Sequence, residues 1–158
     1  MQSGVVIREL LPTDRALLAY TFHHLSPRSR QQRFLGPKRD LSAAELTRLL
    51  SIDDWHHCAL IAFARMPRAP VGIARYVRLE DFDAAEVAIE VIDGWQRAGV
   101  GRALLSALCA RATQRGIRRL RATMLSDNVG ARRLAAEVGP SRAIVRGRGA
   151  LELEIGLP

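Results

Sequence analysis

The sequence lacks several features that would place it in a specialised class of protein. It has only two cysteines and a 5% share of aromatic residues among 158 residues. Because Cys58 and Cys109 lie far apart, one in a strand-like and one in a helix-like stretch, we expect reduced thiols and no disulfide scaffold. Apolar runs stay below the roughly eighteen residues of a transmembrane helix. The start MQSGVVIREL lacks the basic-then-apolar order of a signal peptide, so we expect a cytoplasmic protein with no membrane segment.

Positive charge is in excess, and nearly all of it is arginine. The formal net charge is +8, and Lys38 is the only lysine. This balance favours an anionic partner, and guanidinium groups favour bidentate contacts with phosphate or carboxylate. The basic residues are spread over predicted helices, strands and loops, with few aromatic residues among them to stack on bases. Nucleic acid is therefore a minor alternative.

Hydrophobic periodicity predicts one domain of mixed α and β structure over residues 1–158. The strand-like stretches are GVVIREL, CALIAFA, PVGIARYVRL, AAEVAIEVI, IRRLRATML, SRAIVRG and ALELEIGL, and the helix-like stretches are RALLAYTFHHL, LSAAELTRLL, ALLSALCARATQRG and DNVGARRLAAEVG. The order β-α-α-β-β-β-α-β-α-β-β predicts a central mixed, mostly antiparallel sheet flanked by helices. The basic segment SPRSRQQRFLGPKRD has no periodicity and is assigned no regular element.

Three helix ends carry recognisable signals. Asp14 is expected to cap the first helix, and Ser42 with Glu45 forms a capping box at the next. Gly116 is expected to end the long helix that follows the middle strands.

The glycine-bearing turn QRAGVG joins the strand AAEVAIEVI to a long helix. Free backbone N–H groups and the positive end of the helix dipole meet at such a turn, which favours an anion. Gly99 and Gly101 allow a ligand close to the backbone, and Arg97 and Arg102 add charge at the rim. The Lys-Ser/Thr pair of a nucleoside-triphosphate loop is absent, and Leu104 replaces the third glycine of a dinucleotide loop.

The turn and its surroundings resemble the GNAT superfamily of acetyl-CoA-dependent N-acetyltransferases. QRAGVG is similar to that family's Gln/Arg-x-x-Gly-x-Gly/Ala turn, and MLSDNVGARRLAAEVG is similar to its next strand and helix. The likeness covers essentially the whole chain. Within the superfamily, LSPRSRQQRFLGP, LSAAELTRLL, GIARYVR and the Ala-Glu-x-Ala start of the cofactor strand look most like the catalytic domain of bacterial protein lysine acetyltransferases.

The resemblance implies a GNAT fold, acetyl-CoA as cosubstrate, and a protein lysine or a small amine as acceptor. It implies that the strand end bonds pantetheine, that the turn cradles the pyrophosphate, and that the asparagine lies near the cofactor arm. The cofactor-binding residues implied in this way are Ile89, Glu90, Val91, Gln96, Arg97, Ala98, Gly99, Val100, Gly101, Arg102 and Asn128.

Acetyl transfer to an amine requires a base, because a lysine amine has an ordinary pKa of about 10.4. The resemblance places Glu86 where the protein acetyltransferases have their catalytic glutamate. Its apolar neighbours, Ala85 and Val87, predict a partly desolvated carboxylate. Glu90 shares its strand face by the two-residue period, unless the bulge expected in this strand turns it away. Glu90 is thus a second candidate, as base, as a group that binds a cationic acceptor, or as the structural partner of an arginine.

The tyrosine that many GNAT enzymes use as general acid is absent, because Ala135 stands at its position. Tyr20 and Tyr76 are the remaining candidate donors, and we expect both hydroxyls at the surface. The adjacent histidine pairs at 23–24 and 56–57 diverge, so no metal site is expected.

The densest basic segment matches the region that lines the acceptor entrance in GNAT folds; its arginines are Arg28, Arg30, Arg33 and Arg39. Two alternatives to a protein lysine acetyltransferase stay open. One is a small-molecule amine N-acetyltransferase with a closed acceptor pocket, and the other is a non-catalytic acyl-CoA-binding module.

Overall fold

A seven-stranded sheet with helices on both faces is the centre of the computed structural model, which describes residues 4–147 and 149–158. The strand order across the sheet is β1-β2-β3-β4-β5-β7-β6. The strands are β1 (Val5–Glu9), β2 (His57–Arg65), β3 (Arg68–Arg78), β4 (Ala84–Val91), β5 (Arg119–Leu125), β6 (Ser141–Gly147) and β7 (Ala150–Gly156). Among the described strands, only β4 and β5 pair in parallel. The predicted mixed, mostly antiparallel sheet is confirmed.

Five α-helices and one short 3₁₀ turn connect these strands in the described part of the chain. They are α1 (Arg15–His23), α2 (Pro27–Phe34), α3 (Ala43–Leu49), α4 (Val100–Gln114) and α5 (Val129–Val138), and the 3₁₀ turn is Asp93–Trp95. Across the described helices, none combines the length and the apolar character that a membrane crossing requires.

The sheet separates two apolar layers. Leu104 and Leu108 of α4 pack with Leu60 and Ala74 on one face. Leu18 of α1 packs on the other face with a cluster that includes Ile73. Because Ile73 lies directly opposite Glu90 in the β3–β4 ladder, this second face also carries the predicted catalytic carboxylates.

The helix α2 was not predicted from the sequence. Its residues, PRSRQQRF, are almost all polar, so they show no apolar stripe. The helix forms because Ser26 caps its N-terminus, accepting a hydrogen bond from the Ser29 amide at 3.1 Å, and Pro27 occupies the first helical position.

The other helix signals have mixed outcomes. The Ser42–Glu45 capping box is present, with both reciprocal bonds at 3.1 Å. Gly116 follows the end of α4 with φ +80°, as a helix-stopping glycine should. Asp14 is the N-cap residue of α1, as predicted, but its carboxylate makes no capping hydrogen bond and instead accepts the Leu11 amide and pairs with Arg8 at 2.7 Å.

The predicted bulge in β4 is wrong as well. The β3–β4 register runs without a shift from Gly72 opposite Val91 to Arg78 opposite Ala85. Residues two apart on β4 therefore stay on the same face.

Candidate active site

The two parallel strands, β4 and β5, diverge in the middle of the sheet. β4 pairs with β5 only over Ala84–Glu86, in three residue pairs, whereas β5 continues along β7 as far as Leu125. Among the described residues, the β5 side of Val87–Val91 therefore has no partner strand. This exposed backbone edge can accept an extended ligand through main-chain hydrogen bonds. The predicted pantetheine residues Ile89, Glu90 and Val91 lie along it, and the Val91 carbonyl already accepts the Gln96 side chain.

The glycine-bearing turn stands directly beyond this edge. Gly99 is the N-cap of α4 with φ +84°, and Arg97 also has a positive φ of 62°. Within the described chain, the amides of Val100, Gly101 and Arg102 donate no hydrogen bond. Three unpaired donors at a helix N-terminus are suited to an anion such as a pyrophosphate.

Two side chains of the turn are already engaged within the protein. The Gln96 amide nitrogen donates to the Val91 carbonyl at 2.9 Å and to the Ser29 hydroxyl at 3.1 Å. The Arg102 guanidinium pairs with Glu137 of α5 at 2.6 Å and is otherwise exposed. Arg97, Ala98 and Gly99 are exposed. The backbone of the turn, more than its charged side chains, is therefore available to a ligand.

Asn128 follows the end of β5, on the other side of the gap that opens where β4 and β5 separate. It has a local structural role. Its side-chain oxygen accepts the Ala131 amide at 3.1 Å and so caps α5. The capping bond fixes the Asn128 side chain at the N-terminus of α5.

Glu86 stands at the last of the three β4–β5 pairs, opposite Arg121. The same register continues from Arg121 to Glu154 and on to Arg142, which gives four alternating charges across four strands. We call these four residues the charge row. The Glu154 carboxylate lies 3.1 Å from the Arg142 guanidinium and 3.6 Å from the Arg121 guanidinium. The Glu86 side chain is exposed, so the predicted desolvated environment is wrong, and no described cation lies within ion-pair distance of it.

Glu90 is buried instead, at 8% exposure, under α2. Its carboxylate lies 3.8 Å from the Arg33 guanidinium. Burial raises the pKa of Glu90, and the positive charges of Arg33 and Arg75 oppose that shift. Of the three roles open to Glu90, the geometry favours a structural pair with an arginine.

Arg75 and His57 extend this buried group, and sequence analysis did not identify either of them. Arg75 donates to the Leu49 carbonyl at 2.7 Å and to His57 Nε2 at 3.0 Å. Burial, followed by the Arg33 charge, lowers the pKa of Arg75 to about 10. An arginine inside the apolar strand PVGIARYVRL was the available signal, because a charge at a core-facing position requires a buried partner.

Tyr76 does not lie beside Glu86 as a proton donor, because it is on the opposite face of the sheet. Tyr76 is completely buried on the α4 face, opposite Cys58, and burial raises the pKa of its hydroxyl to about 12. The expectation of a surface hydroxyl is wrong for Tyr76. Tyr20 is 39% exposed and stacks on His24, with ring centroids 3.8 Å apart.

The four arginines of the basic segment have different tasks. Arg30 donates to the carbonyls of Phe22, His23 and Arg39, and so closes the C-terminal end of α1. Arg33 faces Glu90, whereas Arg28 and Arg39 are exposed. Only the last two have side chains free at the surface for an acceptor.

Comparison with known proteins agrees with this geometry. The profile of the acetyltransferase (GNAT) family matches residues 22–139. Acetyltransferase PA5475 of Pseudomonas aeruginosa is 30% identical over 137 residues, which are 85% of this chain and 74% of that protein.

Two solved structures have the same fold. The GNAT domain of PAT from S. lividans is 29% identical, with a TM-score of 0.86 over 96% of this chain and 89% of that one. Phosphinothricin acetyltransferase from Sinorhizobium meliloti, solved in complex with acetyl-CoA, is 19% identical, with a TM-score of 0.75 over 98% of this chain and 89% of that one. The GNAT fold predicted from the sequence is confirmed, and the chain belongs to the GNAT family of acetyltransferases.

Proposed function

We propose that the chain transfers the acetyl group of acetyl-CoA directly to the side-chain amine of a protein lysine, with Glu86 as general base. One observation carries this proposal. An exposed carboxylate stands where β4 and β5 separate, next to the backbone edge that is free to bind pantetheine. The similarity to the GNAT domain of S. lividans PAT over 96% of the chain supports an acetyltransferase.

The cofactor is held mainly by main-chain groups in this proposal. The edge from Ile89 to Val91 bonds the pantetheine and polarises the thioester carbonyl, and the amides of residues 97–102 bind the pyrophosphate. Asn128 closes the other side of the gap. The released thiol has an ordinary pKa of about 8.5, so it leaves readily without a dedicated tyrosine acid.

Glu86 accepts the proton that the acceptor ammonium must lose before it can attack. Removing a proton from a lysine ammonium at pH 7 costs roughly 4 to 5 kcal/mol, so a base within reach of the amine lowers the barrier. Glu90 is less suited to this work, because it is buried and lies 3.8 Å from Arg33.

An open acceptor side favours a protein over a small amine. Val77, the cross-strand neighbour of Glu86, is 43% exposed, and Phe82 in the adjoining hairpin is 63% exposed. A groove of about 480 Å³ lies between α4 and α5 and does not include Glu86. Exposed apolar residues beside a reactive group are typical of a surface that binds a polypeptide.

Replacing Glu86 with glutamine tests the assignment of the base. We expect Glu86→Gln to bind acetyl-CoA normally and to lose about 10²- to 10⁴-fold in kcat at pH 7, with the deficit shrinking at higher pH as the amine deprotonates unaided. Thiol release with a lysine-bearing protein measures the rate. Glu80→Gln is the control, because Glu80 is an exposed carboxylate in the hairpin before β4. Unchanged turnover in Glu86→Gln contradicts the mechanism.

The alternatives are tested with the unmodified protein. Faster thiol release with free lysine or polyamines than with proteins identifies a small-molecule enzyme. Thermal stabilisation by acetyl-CoA without turnover of any amine identifies a binding module.

A further inference from the structure

Three side-chain contacts fasten α2 to the cofactor strand and turn. Asp93 of the 3₁₀ turn accepts the Ser26 amide at 2.9 Å and the Ser26 hydroxyl at 2.8 Å. Gln96 donates to the Ser29 hydroxyl at 3.1 Å, and Glu90 faces Arg33 at 3.8 Å. The contacts reach the first and the last turn of α2.

The helix depends on these contacts for its position. α2 has eight residues, and only Ser29 among them is buried, so it has little apolar area to pack. Helices of this length are not stable by themselves in water. Burial raises the pKa of Asp93, but hydrogen bonds from Ser26 and Ser29 outweigh burial and lower the pKa below its ordinary value. A charged partner therefore anchors the N-terminus of α2.

The residues that hold α2 are also next to the pyrophosphate site. Gln96 immediately precedes the turn of residues 97–102, and its amide also bonds the Val91 carbonyl at the end of β4. A ligand that occupies the turn and the β4 edge therefore restrains Gln96 from both sides. The same restraint is passed to Ser29 through the 3.1 Å hydrogen bond.

We propose that Asp93 and Gln96 are positioning residues that couple the cofactor turn to the acceptor-side helix α2, so that coenzyme A binding orders α2. The inference rests on the proposed function for the identity of the acceptor side. α2 packs on the sheet face that carries Glu86 and Glu90, so its position sets the space in which an acceptor meets the base. By linkage, an acceptor that orders α2 tightens coenzyme A binding by the same factor.

Hydrogen exchange measures this coupling without any turnover. In the unmodified protein we expect coenzyme A to slow amide exchange in residues 26–35 by about tenfold, because ligand binding suppresses local opening. In Asp93→Ala we expect coenzyme A still to bind, as measured by calorimetry, while exchange in α2 no longer responds. Ser29→Ala removes the Gln96 contact from the helix side and leaves the turn intact, so it should behave in the same way.

Kinetics separate positioning from cofactor binding. A hydrogen bond to a charged group contributes a factor of about ten, so we expect the KM for a lysine peptide to rise about tenfold in Asp93→Ala, with a much smaller change in acetyl-CoA affinity. Ser42→Ala is the matched control. It removes a comparable helix cap, from α3, that has no contact with the cofactor turn.

The outcomes are distinct. An exchange response in α2 that survives in both variants overturns the coupling. Coenzyme A affinity in Asp93→Ala that falls as far as acceptor KM rises also overturns it, because Asp93 would then be a cofactor ligand. If the unmodified protein acetylates no amine but shows the exchange response, the proposed function fails and the coupling stands.

Discussion

The buried contact between Arg75 and His57 fixes the protonation state of the histidine. Because Arg75 donates to Nε2 at 3.0 Å, the ring proton must be on Nδ1, which donates to the Ser51 carbonyl at 3.0 Å. Burial, with the Arg75 charge, lowers the pKa of His57 to about 4. His57 is therefore neutral at pH 7, so it does not place a second positive charge beside Arg75.

This contact predicts a loss of stability in mild acid. The unfolded chain takes up the His57 proton as pH falls through about 6.5, whereas the folded protein resists it until about pH 4. Stability from this group is thus complete above pH 6.5 and is lost between pH 6.5 and 4, by about 1 to 3 kcal/mol in the free energy of unfolding once solvent screening is included. Urea unfolding of the parent and of His57→Gln at both pH values measures the difference. An equal pH dependence in the two proteins contradicts the assignment.

Single-residue chemistry was partly readable from the sequence. The glycines of the turn follow from a local pattern, whereas Glu86 and the missing tyrosine at Ala135 were identified through the family resemblance. The partners of Glu90 do not, because Arg33 lies 57 positions away and meets it only through the packing of α2 on β4. The environment of Glu86 was mispredicted for the same reason, since its neighbours in space are set by the β4–β5 pairing.

At the level of elements, α4 and α5 approach each other at the cofactor turn. A Cβ atom on Gly101 would lie 3.3 Å from the Leu134 side chain of α5 and 3.8 Å from Ile89 of β4. Gly101 thus serves the contact between elements as well as the approach of a ligand.

Gly101→Val should weaken coenzyme A binding and lower stability, because the added side chain must displace Leu134. We expect a loss of about 1 to 3 kcal/mol in unfolding free energy. The double variant Gly101→Val with Leu134→Ala separates the two effects, since it removes the clash with α5 but not the crowding of the turn. Calorimetry with coenzyme A and thermal melts measure both. Full coenzyme A affinity in Gly101→Val contradicts the pyrophosphate assignment.

Elements with apolar periodicity were predicted well, and those without it were not. All seven strands and four of the five described helices follow from alternation or helical spacing. α2 was missed because its stability comes from Ser26, Pro27 and the distant Asp93, and none of these gives an apolar pattern. The order of β7 and β6 in the sheet likewise depends on long-range pairing.

At the scale of the whole molecule, the formal charge of +8 favours a highly anionic ligand. Many of the arginines are already paired with carboxylates, as in the charge row. Their positive charge therefore acts on a ligand mainly through the long-range electrostatic field of the protein, and less through direct contacts. Such a field attracts coenzyme A, which carries several phosphate charges, toward the protein before any contact forms.

The association rate of acetyl-CoA should therefore fall with ionic strength, by about tenfold or more between low and high salt. Stopped-flow mixing of protein and acetyl-CoA measures the rate. Acetyl-pantetheine is the control ligand, because it has the thioester but no phosphate and should associate at a salt-independent rate. Equal salt dependence for both ligands would show that the field does not steer the cofactor.

The narrow pairing between β4 and β5 has a mechanical consequence. Three residue pairs join the strands β1–β4 to the strands β5–β7. This short pairing can act as a hinge between the two halves of the sheet. A pantetheine chain bound along β4 would restrain the movement at this hinge. The substrate that carries the acetyl group would then also stiffen the enzyme that consumes it.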